Sequence, residues 1–257
     1  MDEEIYEKIT KRKQFSQLRE IDVEIAWKHF EKRQTALEEK IKLTRDLLRK
    51  TFTMFGSKQF LKIKPFDAEW VLKKHLSTKD RFEFYSKIYS RIFSKLKNKA
   101  TLFDLGAGVN GFSYQYLPKK TSYVGIESVG QLVDLTNLYF KTNKIVEGKM
   151  VHLSLFELKE IKELIKKTKG PKIVFLLKVL DSLEILERDY SKVFLKEIGG
   201  LVDKIVISFA TKSLFKKTKF KVNRAWILNF IMENFHLIEE FETGDEKYIV
   251  FSKKQNF

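Results

Sequence analysis

Apolar residues recur along the chain in two rhythms. Between residues 2 and 55, Ile25, Phe30, Leu37, Ile41, Leu47 and Leu48 return at roughly three-to-four spacing, flanked by Lys28, Lys32, Arg33, Lys40, Lys42, Arg45, Arg49 and Lys50. That is the period of amphipathic helices, and neither Pro nor Gly interrupts it before Gly56. After Pro65 a second helical stretch is expected over residues 75–96, where Phe84, Ile88, Ile92 and Leu96 lie four apart with Tyr85, Tyr89 and Phe93 beside them. Ser77 or Thr78 is the expected cap, with Asp80 in the first turn. Beyond Ala100 the rhythm changes to short apolar runs separated by helical segments, and strands are predicted over 101–105, 123–127, 150–153, 172–178, 204–209, 236–242 and 247–252. The last two, joined by Thr243-Gly244-Asp245, read as an antiparallel hairpin. Alternating strands and helices call for a parallel sheet with crossover helices. The chain therefore divides into a helical subdomain over residues 1–75 and an α/β domain over 76–257.

The first predicted strand runs into TLFDLGAGVNG, residues 101–111. Gly106, Gly108 and Gly111 let the backbone approach a ligand where a β-carbon would collide. The spacing separates two nucleotide cofactors. A dinucleotide site wants G-x-G-x-x-G with pyrophosphate at a helix N-terminus. D-x-G-x-G, with Asp104 on the strand, suits S-adenosylmethionine, which has no phosphate and carries an amino-acid tail that Gly106 can lie against. Some twenty residues on, TSYVGIES ends a second strand in Glu127, placed to accept hydrogen bonds from both ribose hydroxyls. Arg81, near the start of the helix at 75–96, is expected close to the cofactor carboxylate. Cofactor binding is thus assigned to Arg81, Asp104, Gly106, Gly108 and Glu127. The predicted sheet is that of a Class I (Rossmann-like) S-adenosylmethionine-dependent methyltransferase, with active groups at the carboxyl ends of the strands.

Composition narrows the substrate. At 257 residues and 43% hydrophobic content the chain can bury a sizeable core, and 50 Lys and Arg against 34 Asp and Glu give a net charge of +16. That balance points to an acidic polymer, RNA or DNA first. No run of about eighteen apolar residues is present, and MDEEIYEK is acidic rather than signal-like, so a cytoplasmic protein outside the membrane is expected. With no cysteine there are no disulfides, thiolate metal sites or thiol nucleophiles, which excludes methyl transfer to C5 of a pyrimidine. His29, His75, His152 and His236 show no ligand spacing, and no metal is expected.

The strand ends carry the candidate chemistry. After the fourth strand, LLKVLDSLE lacks the [DN]-P-P-[YF] that holds an exocyclic amine; Lys178, Asp181 and Glu184 stand there instead. A ring nitrogen such as guanine N7 has an in-plane lone pair and no proton to lose, so it needs alignment more than a base, and a carboxylate such as Asp181 would ease the developing charge. Lys178 and Asp181 are the catalytic candidates. From residue 204 to 232 there are seven Lys or Arg and no acid. Lys212, Lys216, Lys217, Lys219 and Arg224 from that stretch, with Lys79, are the expected RNA contacts. Phe215, Phe220 and Trp226 interleave with them as stacking candidates.

Four stretches together resemble the Arm/Rmt family of aminoglycoside-resistance 16S ribosomal RNA methyltransferases, which act on guanine N7 and are related to the FmrO-type enzymes. HLSTKDRFEFYSKIYSRIF is similar to the family's H-x-S-T-[KR]-[ED]-R-L segment, FDLGAGVNG to L-D-L-[GA]-C-G-x-N-P, LLKVLDSLE to L-L-K-L-[LI]-P-x-L-E, and ISFATKSLFKK to [VI]-S-F-P-T-[RK]-S-L-G-G. The resemblance implies a target guanine near the decoding site of the small ribosomal subunit, reached with help from the helical N-terminal part. By position it implies that His75, Ser77, Thr78, Lys79 and Arg81 face the cofactor and target region, and that Lys178, Thr211, Lys212 and Ser213 form the rim. Departures fall at Ala107, Gly111, Asp181, Ala210 and Phe215-Lys216, the last two in the loop expected to meet RNA. Methylation of another ring nitrogen, adenine N1, and a non-catalytic ribosome-binding or assembly factor remain the alternatives.

Overall fold

A computed structural model describes residues 1–53, 67–94, 99–211 and 224–254. Three helices open the chain: α1 (Glu3–Thr10), α2 (Glu20–Lys28) and α3 (Leu37–Leu48). Asp2 caps α1 by accepting from Glu4 N at 2.9 Å, and Asp67 caps α4 (Ala68–Lys74) by accepting from Trp70 N at 2.8 Å. The helix expected from residue 75 begins only at Tyr85, as α5 (Tyr85–Phe93). The Thr78 hydroxyl donates back to Leu72 O at 2.8 Å instead of capping a following turn, and residues 75–84 form turns and one short 3₁₀ segment. Those turns position several side chains of the site.

The strands are β1 (Thr101–Leu105), β2 (Ser122–Glu127), β3 (Gly148–His152), β4 (Lys172–Leu177), β5 (Lys204–Ala210), β6 (Phe235–Thr243) and β7 (Glu246–Lys253). They form one sheet in the order β3-β2-β1-β4-β5-β7-β6, parallel through β5, with β7 antiparallel between β5 and β6. This is the Class I arrangement expected from the sequence, closed by the expected hairpin. The connections carry α6 (Gly130–Thr142), α7 (Leu158–Lys167), α8 (Leu180–Leu186), α9 (Tyr190–Gly199) and α10 (Ala225–Asn234). After β1, however, the glycine turn leads into a 3₁₀ segment over Asn110–Tyr116 rather than an α-helix.

Strand residues alternate between two cores. Leu102, Phe175 and Val206 face one shared with Val23, Trp27, Ile41, Leu48, Tyr85, Tyr89 and Phe140, while Phe103, Val174 and Ile207 face another with Ile161, Phe194 and Ile227. The N-terminal helices therefore lie in the same apolar layer as α5 and α6 and cover one face of the sheet. Chain pairing fixes them there: Leu18 bridges Val129, Gly130 N donates to Gln17 O at 2.9 Å, and Arg19 N donates to Ser128 O. Among the described residues no helix is long and apolar enough to cross a membrane.

Candidate functional site

The switch in strand order between β1 and β4 leaves a crevice at the carboxyl ends of the strands. A cleft of about 870 Å³, open mouth included, lies there, and Arg81, Asp104, Gly106, Gly108 and Glu127 all line it. The five residues assigned to a cofactor from sequence are thus brought together. Gly106 and Gly108 adopt φ of +71° and +53°, a region glycine enters without strain. A β-carbon on Gly106 would stand 2.8 Å from Val179 Cγ2. Gly106 N and Ala107 N donate to Ile126 O at 2.9 and 3.0 Å, which ties the turn to β2.

Glu127 reaches back over that turn. Its carboxylate accepts from Gly108 N and from Val129 N, each at 2.9 Å. Burial raises its pKa above the ordinary carboxylate value, against the pull of those backbone donors. Asp104 lies beneath, accepting from Asn110 Nδ2 and the Tyr123 hydroxyl at 2.7 Å each. Burial pushes its pKa up to about 6, with both donors and Arg81 opposing. Asp104 shapes the turn through Asn110, whose Oδ1 in turn accepts from the Tyr85 hydroxyl at 2.7 Å and Arg81 Nη1 at 3.1 Å.

Two buried cations form the opposite wall. Arg81 Nη2 donates to Ser77 O and Oγ at 3.0 and 2.9 Å, and its Nε pairs with Glu246 at 3.2 Å. Burial works against the guanidinium charge, and Glu246 together with Tyr85, Tyr248 and Tyr89 more than offsets it. Lys178 has φ of +60°; its ammonium lies 3.1 Å from Asp80 and 3.3 Å from Glu246. Glu246 is wholly buried and also accepts from the Ser208 hydroxyl. The His75 ring packs 3.5 Å from where a Gly108 β-carbon would be. Burial, then Arg81 and Lys178, lower its pKa to about 3, so the imidazole is neutral.

The other candidates are placed apart from this cluster. Asp181 is half exposed and pairs at 2.8 Å with Arg224, whose guanidinium stacks 4.4 Å from the Phe209 ring centroid. The two therefore clamp α8 to the start of α10. Lys79 is exposed beside Thr78, which lines the cleft. Lys212, Lys216, Lys217 and Lys219, with Ser213, Phe215 and Phe220, lie outside the described residues. Trp226 is half-buried and packs on the core under α10.

Sequence reasoning missed Asn110, Asp80, Glu246 and Asp22. Asn110 stands inside the glycine motif, and Asp80 reads in sequence only as a helix-start acid. Asp22, on α2, is 1% exposed and lines the cleft. It accepts from Ser128 Oγ, just past β2, and from Ser154 Oγ at 2.7 Å, just past β3. Burial raises its pKa to about 7, against the pull of the two serines.

No protein-family model and no curated protein sequence matches the chain. Solved structures do. The 16S rRNA methyltransferase RmtF, in complex with S-adenosyl-L-homocysteine, superposes with a TM-score of 0.80 at 17% identity, covering 99% of this chain and 100% of that one. The 16S rRNA methylase RmtB gives 0.76 at 17% identity over 97% and 98%, and an rRNA methylase from Escherichia coli gives 0.75 at 17% identity over 97% and 100%. The likeness to the Arm/Rmt enzymes expected from four short stretches thus extends, as a likeness of fold, over nearly the whole chain, N-terminal helices included.

Proposed function

We propose that the protein is an S-adenosylmethionine-dependent methyltransferase of small-subunit ribosomal RNA, acting on guanine N7 near the decoding site. The observation that carries this reading is the convergence of Gly106, Gly108, Glu127 and Arg81 on one cleft at the switch in strand order, in a fold similar from end to end to 16S rRNA methylases. The cleft suits such a cofactor: Gly106 leaves open the space a β-carbon would fill against Val179, and Glu127 is an acid held at the tip of β2 for ribose hydroxyls. When bound, the cofactor supplies an electrophilic methyl group.

The residues of the cleft then have to align rather than deprotonate. Lys178 is held as a cation between Asp80 and Glu246, and His75, with its pKa near 3, is a weak base. Neither is suited to taking a proton from an amine, whereas a ring nitrogen presents a lone pair already and gains from alignment alone, on the order of 7–11 kcal/mol. Adenine N1 shares that property and is the second reading. Lys79 and the basic stretch 212–219 are assigned to phosphate contacts, Lys178 to the floor of the target pocket, and Asp181 to the clamp with Arg224. A basic face on a protein without the enzyme's chemistry would bind the same subunit without using the cleft.

Calorimetry with S-adenosylmethionine and methylation of purified small subunits test the reading. Strand scission at one guanine after borohydride and aniline treatment, mapped by primer extension, is expected. N1-methyladenosine among the nucleosides, with no scission, replaces guanine N7 by the second reading. Absence of both cofactor binding and methyl transfer sinks the enzymatic assignment.

A further inference from the structure

The segment 17–22 does more than pack the N-terminal helices against the sheet. Arg19 Nε donates to Glu157 at 2.9 Å, and Glu157 also accepts from Ser154 N at 2.7 Å. Asp22 receives the hydroxyl protons of both Ser128 and Ser154. One helix thereby fixes the chain immediately beyond β2 and β3, where the cleft is lined by Ile126, Leu132, Leu155 and Phe156 on its apolar side. A slot with apolar faces and a polar end fits a flat heterocycle.

The polar end has one sign. Asp22 and Ser128 both line the cleft; once ionised, as at pH 8, a carboxylate only accepts, and the Ser128 hydroxyl, its proton committed to Asp22, has only lone pairs left to offer. Nearby backbone donors are turned elsewhere: Val129 N to Glu127, Ser154 N to Glu157 and Phe156 N to Ser154 Oγ at 3.1 Å. We propose that Asp22 and Ser128 form an acceptor-only wall that takes the exocyclic amine of the cofactor's purine, so that a residue of the N-terminal helical layer makes the site selective for an adenosyl over a 6-oxopurine ligand. This rests on the cofactor reading above. A 6-oxopurine would aim its carbonyl oxygen at two acceptors, with no hydrogen-bond donor between them.

The test is calorimetry at pH 8 with S-adenosyl-L-homocysteine and its deaminated counterpart, S-inosyl-L-homocysteine, on the wild-type chain, Asp22→Asn and Ser128→Ala. The wild type is expected to prefer the adenosyl ligand by at least about tenfold, the range for a site that loses a hydrogen bond to a charged group. Asp22→Asn, whose amide can donate to a carbonyl, should cut that ratio roughly fivefold or more; Ser128→Ala should cut it less and carries the test if Asp22→Asn does not fold. Thermal melts follow folding, and a general loss of structure would weaken both ligands together without changing their ratio. A wild-type ratio near one, or a ratio unchanged in the folded variants, overturns the inference while the cofactor reading stands. Absence of binding by either ligand to the wild type overturns both.

Discussion

Removing the Glu246 carboxylate should cost more than any exposed ion pair in the molecule. It is wholly buried, lies 3.2 Å from Arg81 and 3.3 Å from Lys178, and accepts from Ser208. Breaking a buried pair from one side costs about 3–5 kcal/mol because the partner's charge stays behind. The loss is unequal. Lys178 keeps Asp80 at 3.1 Å, whereas Arg81 is left with the neutral oxygens of Ser77 and Asn110. We therefore expect about 3–4 kcal/mol for Glu246→Ala and about half that for Glu246→Gln, whose amide oxygen still accepts. Against a total of about 5–15 kcal/mol for a domain, the alanine variant should remain folded with a lowered guanidinium midpoint and an unchanged m-value. Lys178→Met takes away the second cation that faces Glu246, so it should be less destabilising in the Glu246→Ala background than alone, by about 0.5–3 kcal/mol. A cost for Glu246→Ala below about 1 kcal/mol, or equal effects of Lys178→Met in both backgrounds, refutes the network.

Gly106→Ala should weaken S-adenosylmethionine binding by about tenfold or more, since left-handed backbone costs an alanine about 1–2 kcal/mol and its β-carbon would sit 2.8 Å from Val179 Cγ2; unchanged affinity by calorimetry counts against the cradle. Tyr123→Phe removes a 2.7 Å donor from buried Asp104 and should cost about 1–3 kcal/mol in chemical denaturation, with no loss meaning that Asn110 alone satisfies that carboxylate. Asp22, pushed by burial to about 7 from an ordinary 3.8, keeps in the folded protein a proton that the unfolded chain releases. The stability of the wild type relative to Asp22→Asn should therefore fall as pH rises from about 4 to 7, by at most about 1.4 kcal/mol per pH unit, and a rise over that window contradicts the assignment.

What the sequence made legible is what local pattern controls. Apolar runs locate the seven strands found among the described residues, and TLFDLGAGVNG with Glu127 locates the cleft, because strand period and glycine spacing are properties of adjacent residues. The start of the helix at 75 was misread for the same reason. Ser77 and Thr78 look like caps in isolation, but Arg81 takes Ser77 O and Oγ and Thr78 bonds back to Leu72. Asp22 and Glu246 were out of reach altogether: Asp22 meets Ser154 across 132 positions and Glu246 meets Ser208 across 38. A lone Asp on a charged helix, or a Glu after a hairpin turn, carries no sign of such a partner. Arg224 reads by charge as an RNA contact, and the sequence carries no sign of its pairing with Asp181, which depends on where α8 and α10 meet.

The backbone at Lys178 argues that this corner of the site is built for a purpose. A lysine at φ +60° occupies a sparsely populated region, costing about 1–3 kcal/mol that the surroundings must offset. Here the surroundings form a closed ring. Lys178 N donates to Ser208 O and Oγ, each at 3.1 Å, the Ser208 hydroxyl bonds Glu246, and Glu246 returns to the Lys178 ammonium. Both ends of one residue are thus held by a single pair on β5 and β7, so neither its side chain nor its backbone can relax alone. Such a lysine is a poor mobile phosphate contact and, on the proposed reading, a fixed edge against which a target ring can be squared. On the proposed reading the chemistry belongs to alignment, and the hairpin that ends the sheet, far in sequence from the glycine turn, is part of the machinery proposed to supply it.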